Sequence, residues 1–320
     1  MKPFESFLAQ KIEEYMTYRL SLGFSLHTMT SHLRSFDRYL AMRNTEPTVL
    51  RPSFFLELRA DLKLESRTIN RILSTTRMFF RYLVRQGFYT ANPVKDIPFL
   101  PENEIIPFIF SEKQVDLLLK AVVNSIRKNQ RYFLKDISGH MAILLLARCG
   151  MRISEPLKMK VDQYRPKEKT LYIEKTKFKK DRLIPVPMSV TVELENYLCV
   201  RKVLIGDHQN PFLLAGAKQK GLNDNRVRCI FRQALKDIKI DQSRQVIGNI
   251  NFSAPTVHSL RHSFAVNTLK RVQSPQNALP VLAAYMGHSE YKHTVKYLKM
   301  IDAKKRKQFL DFSLEQKEKR

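Results

Sequence analysis

The string His258-Ser259-Leu260-Arg261-His262 sets an imidazole and a guanidinium three residues apart, so that His258 and Arg261 share one face of a helix. Such a pair presents a proton-transfer group and a bidentate phosphate clamp to one cluster of oxygens. Leu260, Phe264 and Leu269 are left to supply the core side. A second guanidinium, Arg152, stands in Cys149-Gly150-Met151-Arg152-Ile153-Ser154-Glu155, at a turn just after an almost wholly apolar stretch. Taken alone it also fits a surface arginine paired with Glu155. Gly287-His288-Ser289 closes a later helical pattern, and Tyr297 follows nine residues after His288, within the basic stretch from Lys292 to Lys299. Singly, that histidine fits a cap and that tyrosine a core residue; in a basic stretch the phenol can equally meet a phosphate. Acidic and cysteine partners at metal-ligand spacing are missing beside these histidines, so no metal site is expected. Neither G-x-x-x-x-G-K-[ST] nor H-E-x-x-H occurs, and no cofactor is expected.

Elements must hold these groups in place. The first hundred residues carry apolar side chains at helical spacing: Phe4, Phe7, Leu8, Ile12, Tyr15 and Met16, then Met29, Leu33, Phe36 and Leu40 after the Ser25 region, then Phe54–Leu62. A fourth helix, capped by Ser66, carries Ile69, Ile72, Leu73, Phe80 and Leu83 and ends near Gly87, where a left-handed residue is expected. This reads as a four-helix bundle over 1–97. Pro98, Pro101 and Pro107 then punctuate a stiff linker at 98–107, and a second domain fills 108–320, with a charged tail from about 301. That domain opens on a capping-box pattern, Ser111-Glu112-Lys113-Gln114. Its one clear β signal is Thr170–Glu174 and Arg182–Val186, joined by the basic stretch Lys175–Asp181; helical patterns resume at Val190–Leu204, Asn225–Ile238, Val257–Arg271, Leu279–Met286 and around Thr294–Met300. The fold class is mainly α with a small β-hairpin or sheet, in two domains.

Of 320 residues, 56 are Lys or Arg and 30 Asp or Glu, a formal net charge of +26. The first hundred hold 15 basic and 9 acidic residues and the rest 41 and 21, so both domains carry the excess, as expected of units tracking one long polyanion. Nucleic acid is the leading partner, with phosphate contacts dominating affinity; a merely soluble basic protein, or one attracted to anionic membrane surfaces, is the plainer alternative. Arg67, Arg71, Arg77 and Arg81 on the fourth helix are candidates for groove reading; a solvated helix face is the plainer account of them. Hydrophobic residues make up 43%, which excludes wholesale disorder, and three cysteines are too few for a disulfide framework. No apolar run is long enough to span a bilayer and the start does not read as a secretory signal, so a cytoplasmic, nucleoid-associated protein is expected.

The order of the pieces is more informative than any one of them. Arg152 in R-I-S-E, a lysine-rich hairpin, H-S-L-R-H-S-F-A, M-G-H-S and Tyr297 closely resemble the tyrosine recombinase family, the phage integrase and Xer-like enzymes. The resemblance spans about 111–300, and the helical N-terminal unit is similar to the family's SAM-like core-binding domain, the two forming a clamp on DNA. It implies cleavage and rejoining of DNA through a 3′-phosphotyrosyl intermediate by a tetramer on two sites. Residue by residue, it implies that Arg152 and Arg261 hold the scissile phosphate and that Tyr297 is the nucleophile. His258 would assist the tyrosine's proton transfer, His288 donate to the phosphate, and Glu155 orient Arg152. Lys177, in Lys177-Phe178-Lys179-Lys180-Asp181-Arg182-Leu183-Ile184-Pro185, matches the family's hairpin lysine that protonates the leaving 5′-oxygen. Lys175, Lys179 and Lys180 compete for that role or touch DNA, because the glycine common beside the family's lysine is missing. Pro156 stands where the family more often has an apolar helix former. The early start of the bundle leaves no room for a separate arm-binding domain, which points to a simple-site enzyme of Xer or transposon type. The tail, with Phe309, Leu310, Phe312 and Leu314, resembles the segment that docks on a neighbouring protomer. The same fold implies two alternatives: an inactive or regulatory DNA-binding protein, and a type IB topoisomerase-like enzyme that relaxes supercoils.

Overall fold

A computed structural model describes residues 3–44, 46, 49–174, 181–205, 210–216, 219–272, 275–288, 290–298 and 300–301. The chain divides into two compact units between Asn103 and Glu104, inside the segment expected to be the linker.

The first unit holds α1 (Ala9–Ser21), α2 (His27–Met42), α3 (Pro52–Asp61) and α4 (Ser66–Arg85). Its centre is aromatic: Phe36, Phe55, Phe79 and Phe80 are fully buried and meet largely edge to face, the arrangement that ring quadrupoles favour. Asp37, buried on α2, accepts from the backbone N–H groups of Glu5 and Ser6 at 2.9 and 3.0 Å and so fixes the entry to α1. The start of α4 differs from expectation. Glu65 is the N-cap residue, without a side-chain cap, and Ser66 is already helical. The end of α4 is as read: Gly87 has φ of +75° and the Phe88 N–H returns to the Leu83 carbonyl. The proline-containing segment lies along α4. Arg77 donates through Nε to the Val94 carbonyl and through a terminal nitrogen to that of Ile97. Asn70 donates to the Leu100 carbonyl and accepts from the Leu100 N–H.

In the second unit, α5 (Glu112–Asn124) begins with the expected capping box, both bonds between Ser111 and Gln114 being formed. Next come α6 (Gln130–Arg148), the short α7 (Ser154–Lys158), α8 (Met188–Ile205), α9 (Asp224–Asp237), α10 (Val257–Arg271), α11 (Pro275–Met286) and α12 (292–298). The sheet is as read but one strand wider: β2 (Tyr164–Arg165), β3 (Thr170–Ile173) and β4 (Arg182–Pro185) run antiparallel in the order β2-β3-β4. A second sheet was not legible in the sequence. In it β1 (Glu104–Ile106) pairs parallel with β6 (Ile250–Phe252), which forms a hairpin with β5 (Gln245–Ile247). The core gathers round α6, whose residues Met141–Ala147 are all buried against α5, α8, α9 and α10. From α10, Ser263 accepts the Phe110 N–H at 2.7 Å and Asn267 donates to the Phe110 carbonyl, so the helix bearing His258 and Arg261 is fixed to the segment just before α5.

Candidate active site

The last turn of α11 organises the arginines. Helix C-termini leave backbone carbonyls without intrahelical partners and carry partial negative charge. Here three successive carbonyls are each taken by a different guanidinium: Tyr285 by Arg182 Nε at 2.8 Å, Met286 by Arg261 at 2.6 Å and Gly287 by Arg152 at 2.7 Å. Arg261 donates again to the Gly150 carbonyl at 2.7 Å, tying α10 to the turn after α6. Both glycines have φ in the left-handed region, +57° at Gly150 and +62° at Gly287. A Cβ at Gly150 would lie 2.3 Å from the Phe264 ring.

Glu155 binds the arginines together from the other side. Its side chain accepts from the Arg152 N–H at 2.8 Å, from the Arg152 guanidinium at 3.0 Å and from Arg182 at 3.0 and 3.1 Å. Glu155 thus bonds Arg152, the residue it is expected to orient, and Pro156 sits in the first turn of α7, where the missing N–H is tolerated. Arg261 is 2% exposed, and burial followed by the neighbouring charge of Arg152 lowers its pKa to about 10. Arg152 keeps about a quarter of its side chain exposed. Two guanidiniums are thus rigidly held side by side, one of them open to a ligand.

Tyr297, on α12, is 3% exposed. Its hydroxyl lies 3.2 Å from His262 Nδ1, and its ring is stacked at 6.1 Å between centroids on His288, whose Nδ1 bonds the Thr294 hydroxyl at 2.7 Å. Burial raises the phenol's pKa, opposed by the charges of Arg261 and Arg152. His262 and His288 are each pushed down to about 3, first by burial and then by neighbouring positive groups, Arg261 among them, so both imidazoles are neutral at neutral pH. His258 lies at the exposed mouth, edge to face with His262 at 4.6 Å; desolvation of its inner side, then Arg261 and Arg152, lower its pKa.

The structure therefore brings together Arg152, Glu155, His258, Arg261, His288 and Tyr297. Lys175, Lys177, Lys179 and Lys180 fall outside the described residues, as do Ser289 and the tail. Arg71 and Arg81 are exposed on α4. Arg67 is paired with Glu102 at 2.8 Å, and Arg77 is engaged with the 94–97 backbone. Two participants had been given no role from sequence. Arg182 stands in the sequence only as part of the hairpin string, since nothing local links it to Glu155. His262 stands four residues after His258, and that helical spacing was the available signal.

Fold and residues together are those of a tyrosine site-specific recombinase, an enzyme that breaks and rejoins DNA strands. The profile of the phage integrase family matches residues 110–304, and that of the phage integrase N-terminal SAM-like domain matches 12–87. The chain belongs to the phage integrase family. Among its relatives, the tyrosine recombinase XerC of Thermodesulfovibrio yellowstonii is 25% identical over 288 residues, covering 87% of each chain. The fold is shared with XerH site-specific recombinase bound to difH (TM-score 0.65, 16% identity, 86% of this chain and 76% of that one). It is also shared with the lambda integrase dimer bound to a COC′ core site (TM-score 0.63, 17% identity, 89% and 96%). Among the described residues no helix is long and apolar enough to cross a membrane.

Proposed function

We propose that Tyr297 is the nucleophile of this recombinase and that Arg152 and Arg261 bind the scissile phosphate. The observation that carries the reading is the placement of the Tyr297 hydroxyl against a neutral imidazole, in the field of two guanidiniums that the α11 carbonyls hold in place. A phosphodiester entering at the exposed side of Arg152 meets preorganised donors for its non-bridging oxygens, and these strengthen as charge develops in the pentacoordinate transition state. Tyr297 Oη attacks phosphorus, forms the 3′-phosphotyrosyl ester and releases a 5′-hydroxyl. His288, neutral and oriented by Thr294, donates to the phosphate; His258 stands at the mouth for proton exchange; Glu155 holds Arg152. Lys177 protonates the leaving 5′-oxygen. The ester conserves the bond energy, so a 5′-hydroxyl from a second duplex can reverse the step and exchange strands.

Arg71 and Arg81 face DNA from the first unit, and the reaction runs in a homotetramer on two sites in the cytoplasm, at the nucleoid. It serves integration, excision, transposition or resolution of a mobile element or replicon. The inactive-regulator alternative is disfavoured because no member of the described catalytic set is missing. The test is trapping of a covalent protein–DNA adduct, in chelator, on nicked duplexes taken from DNA flanking the gene. A detergent-resistant adduct is expected with the wild type and not with Tyr297→Phe; adduct persisting in the Phe variant refutes the assignment.

A further inference from the structure

We infer that His262 is the catalytic group that takes the Tyr297 proton during strand cleavage and returns it during rejoining. The inference rests on Tyr297 being the nucleophile and identifies that residue's proton partner.

Three histidines surround the phenol, and their geometry separates them. His288 stacks on the ring, but its Nδ1 is committed to Thr294 at 2.7 Å. His258 reaches the site through His262, against whose ring it packs edge to face at 4.6 Å. Among the described residues the Tyr297 hydroxyl has one hydrogen bond, 3.2 Å long, to His262 Nδ1. Both ends of that bond are fixed: His262 projects from α10, one residue from the buried Arg261, and Tyr297 is buried on α12. The charged groups facing His262 are Arg261 and, when protonated, His258 and His288. Burial first, and then these groups, of which none is anionic, disfavour a charge on His262, so the imidazole is neutral and Nδ1 is free to accept, with the ring hydrogen on Nε2. An anionic phosphodiester brought in by the arginines offsets that positive field at the moment when a proton must be received.

The accounting is complete. As Oη bonds to phosphorus, its proton passes to Nδ1 and His262 becomes an imidazolium; the P–O5′ bond breaks, and the 5′-oxygen receives a proton from the hairpin lysine ammonium. In rejoining, the 5′-hydroxyl attacks, its proton returns to the lysine, Oη departs, and His262 returns the proton to the phenolate.

Two substitutions separate proton transfer from positioning. Asparagine places an amide near Nδ1 and keeps a hydrogen-bond partner for the phenol without a base; alanine removes both. Single-turnover cleavage of a nicked duplex, built from the sequence the protein protects in the DNA flanking its gene, is measured for wild type, His262→Asn, His262→Ala and Tyr297→Phe, with DNA retention as the folding control. Both His262 variants are expected to bind DNA like the wild type and to cleave about 10²- to 10⁴-fold more slowly. Replacing Tyr297 by a trifluorinated tyrosine, whose phenol ionises near neutral pH without help, should recover most of that loss. A 5′-bridging phosphorothiolate, whose leaving sulfur needs no proton, should not. The role is overturned if His262→Asn cleaves within about threefold of wild type, if the thiolate restores the rate, or if the fluorinated phenol does not. Unimpaired adduct formation by Tyr297→Phe overturns the nucleophile, and the role of His262 with it.

Discussion

Glu155→Gln tests whether the arginine cluster depends on one carboxylate. Glu155 is 7% exposed on its side chain and serves Arg152 and Arg182, the latter 10% exposed, with four hydrogen bonds across the two residues. Glutamine keeps the shape, removes the charge and turns an NH₂ toward a guanidinium. Removing one partner of a buried ion pair costs about 3–5 kcal/mol, and retention of one amide oxygen argues for the lower end. At about 2.1 cal/mol/K per residue, the unfolding entropy of a unit of roughly 200 residues is about 0.4 kcal/mol/K, so about 3 kcal/mol lowers Tm by about 7 °C. Cleavage should fall further than stability explains, by about 10²-fold under conditions where the protein is folded, because Arg152 loses its orientation. Calorimetry and single-turnover cleavage read the two effects. Glu155→Gln combined with Arg182→Met should recover much of the stability, since the uncompensated charge is gone, and little of the rate. A single variant melting within about 1 °C of wild type refutes the claim that Glu155 carries the cluster.

Acid should destabilise the catalytic unit through His262 and His288. Their folded pKa values, about 3, lie below the ordinary 6.5, so the unfolded chain binds more protons between those values and stability is lost as pH falls through that window, by about 1.4 kcal/mol per pH unit for each. His288→Asn should flatten the fall in Tm between about pH 6 and pH 4.5, and an unchanged slope would count against the buried neutral state. In the first unit, Arg77→Met should lower thermal stability by loosening the 94–97 segment, whereas Arg71→Ala and Arg81→Ala should leave the melt unchanged and reduce the salt dependence of DNA retention by about one unit of slope each; the reverse pattern would refute the division. Gly287→Ala should cost about 1 kcal/mol for its left-handed backbone and displace Arg182, which would lie 3.0 Å from the new Cβ, so cleavage should drop more than stability; wild-type cleavage would show that the carbonyl array tolerates movement.

Helices were legible where one face is buried. The period of Ile69, Ile72, Leu73, Phe80 and Leu83 gives α4, and Val257–Arg271 is α10 as read. The first half of α6, from Gln130, was not read because its polar residues break the apolar run that begins at His140. The sheet of β1, β5 and β6 has strands of three residues, too short for alternation to register, and β1 pairs with a strand far along the chain. The same contrast runs through the site. Arg152, Glu155, Arg261, His288 and Tyr297 stand in local motifs, while the Arg182 to Glu155 contact and the three α11 carbonyls depend on tertiary placement that no motif encodes.

The use of one helix end to seat three guanidiniums sets a length constraint. Inserting or deleting a single residue near the end of α11 turns the terminal carbonyls by about 100° and shifts them by about 1.5 Å, so Arg152, Arg182 and Arg261 would lose their seats together. The residue count through 285–287 is therefore a fixed dimension of this enzyme, tolerant of changed side chains and intolerant of changed spacing.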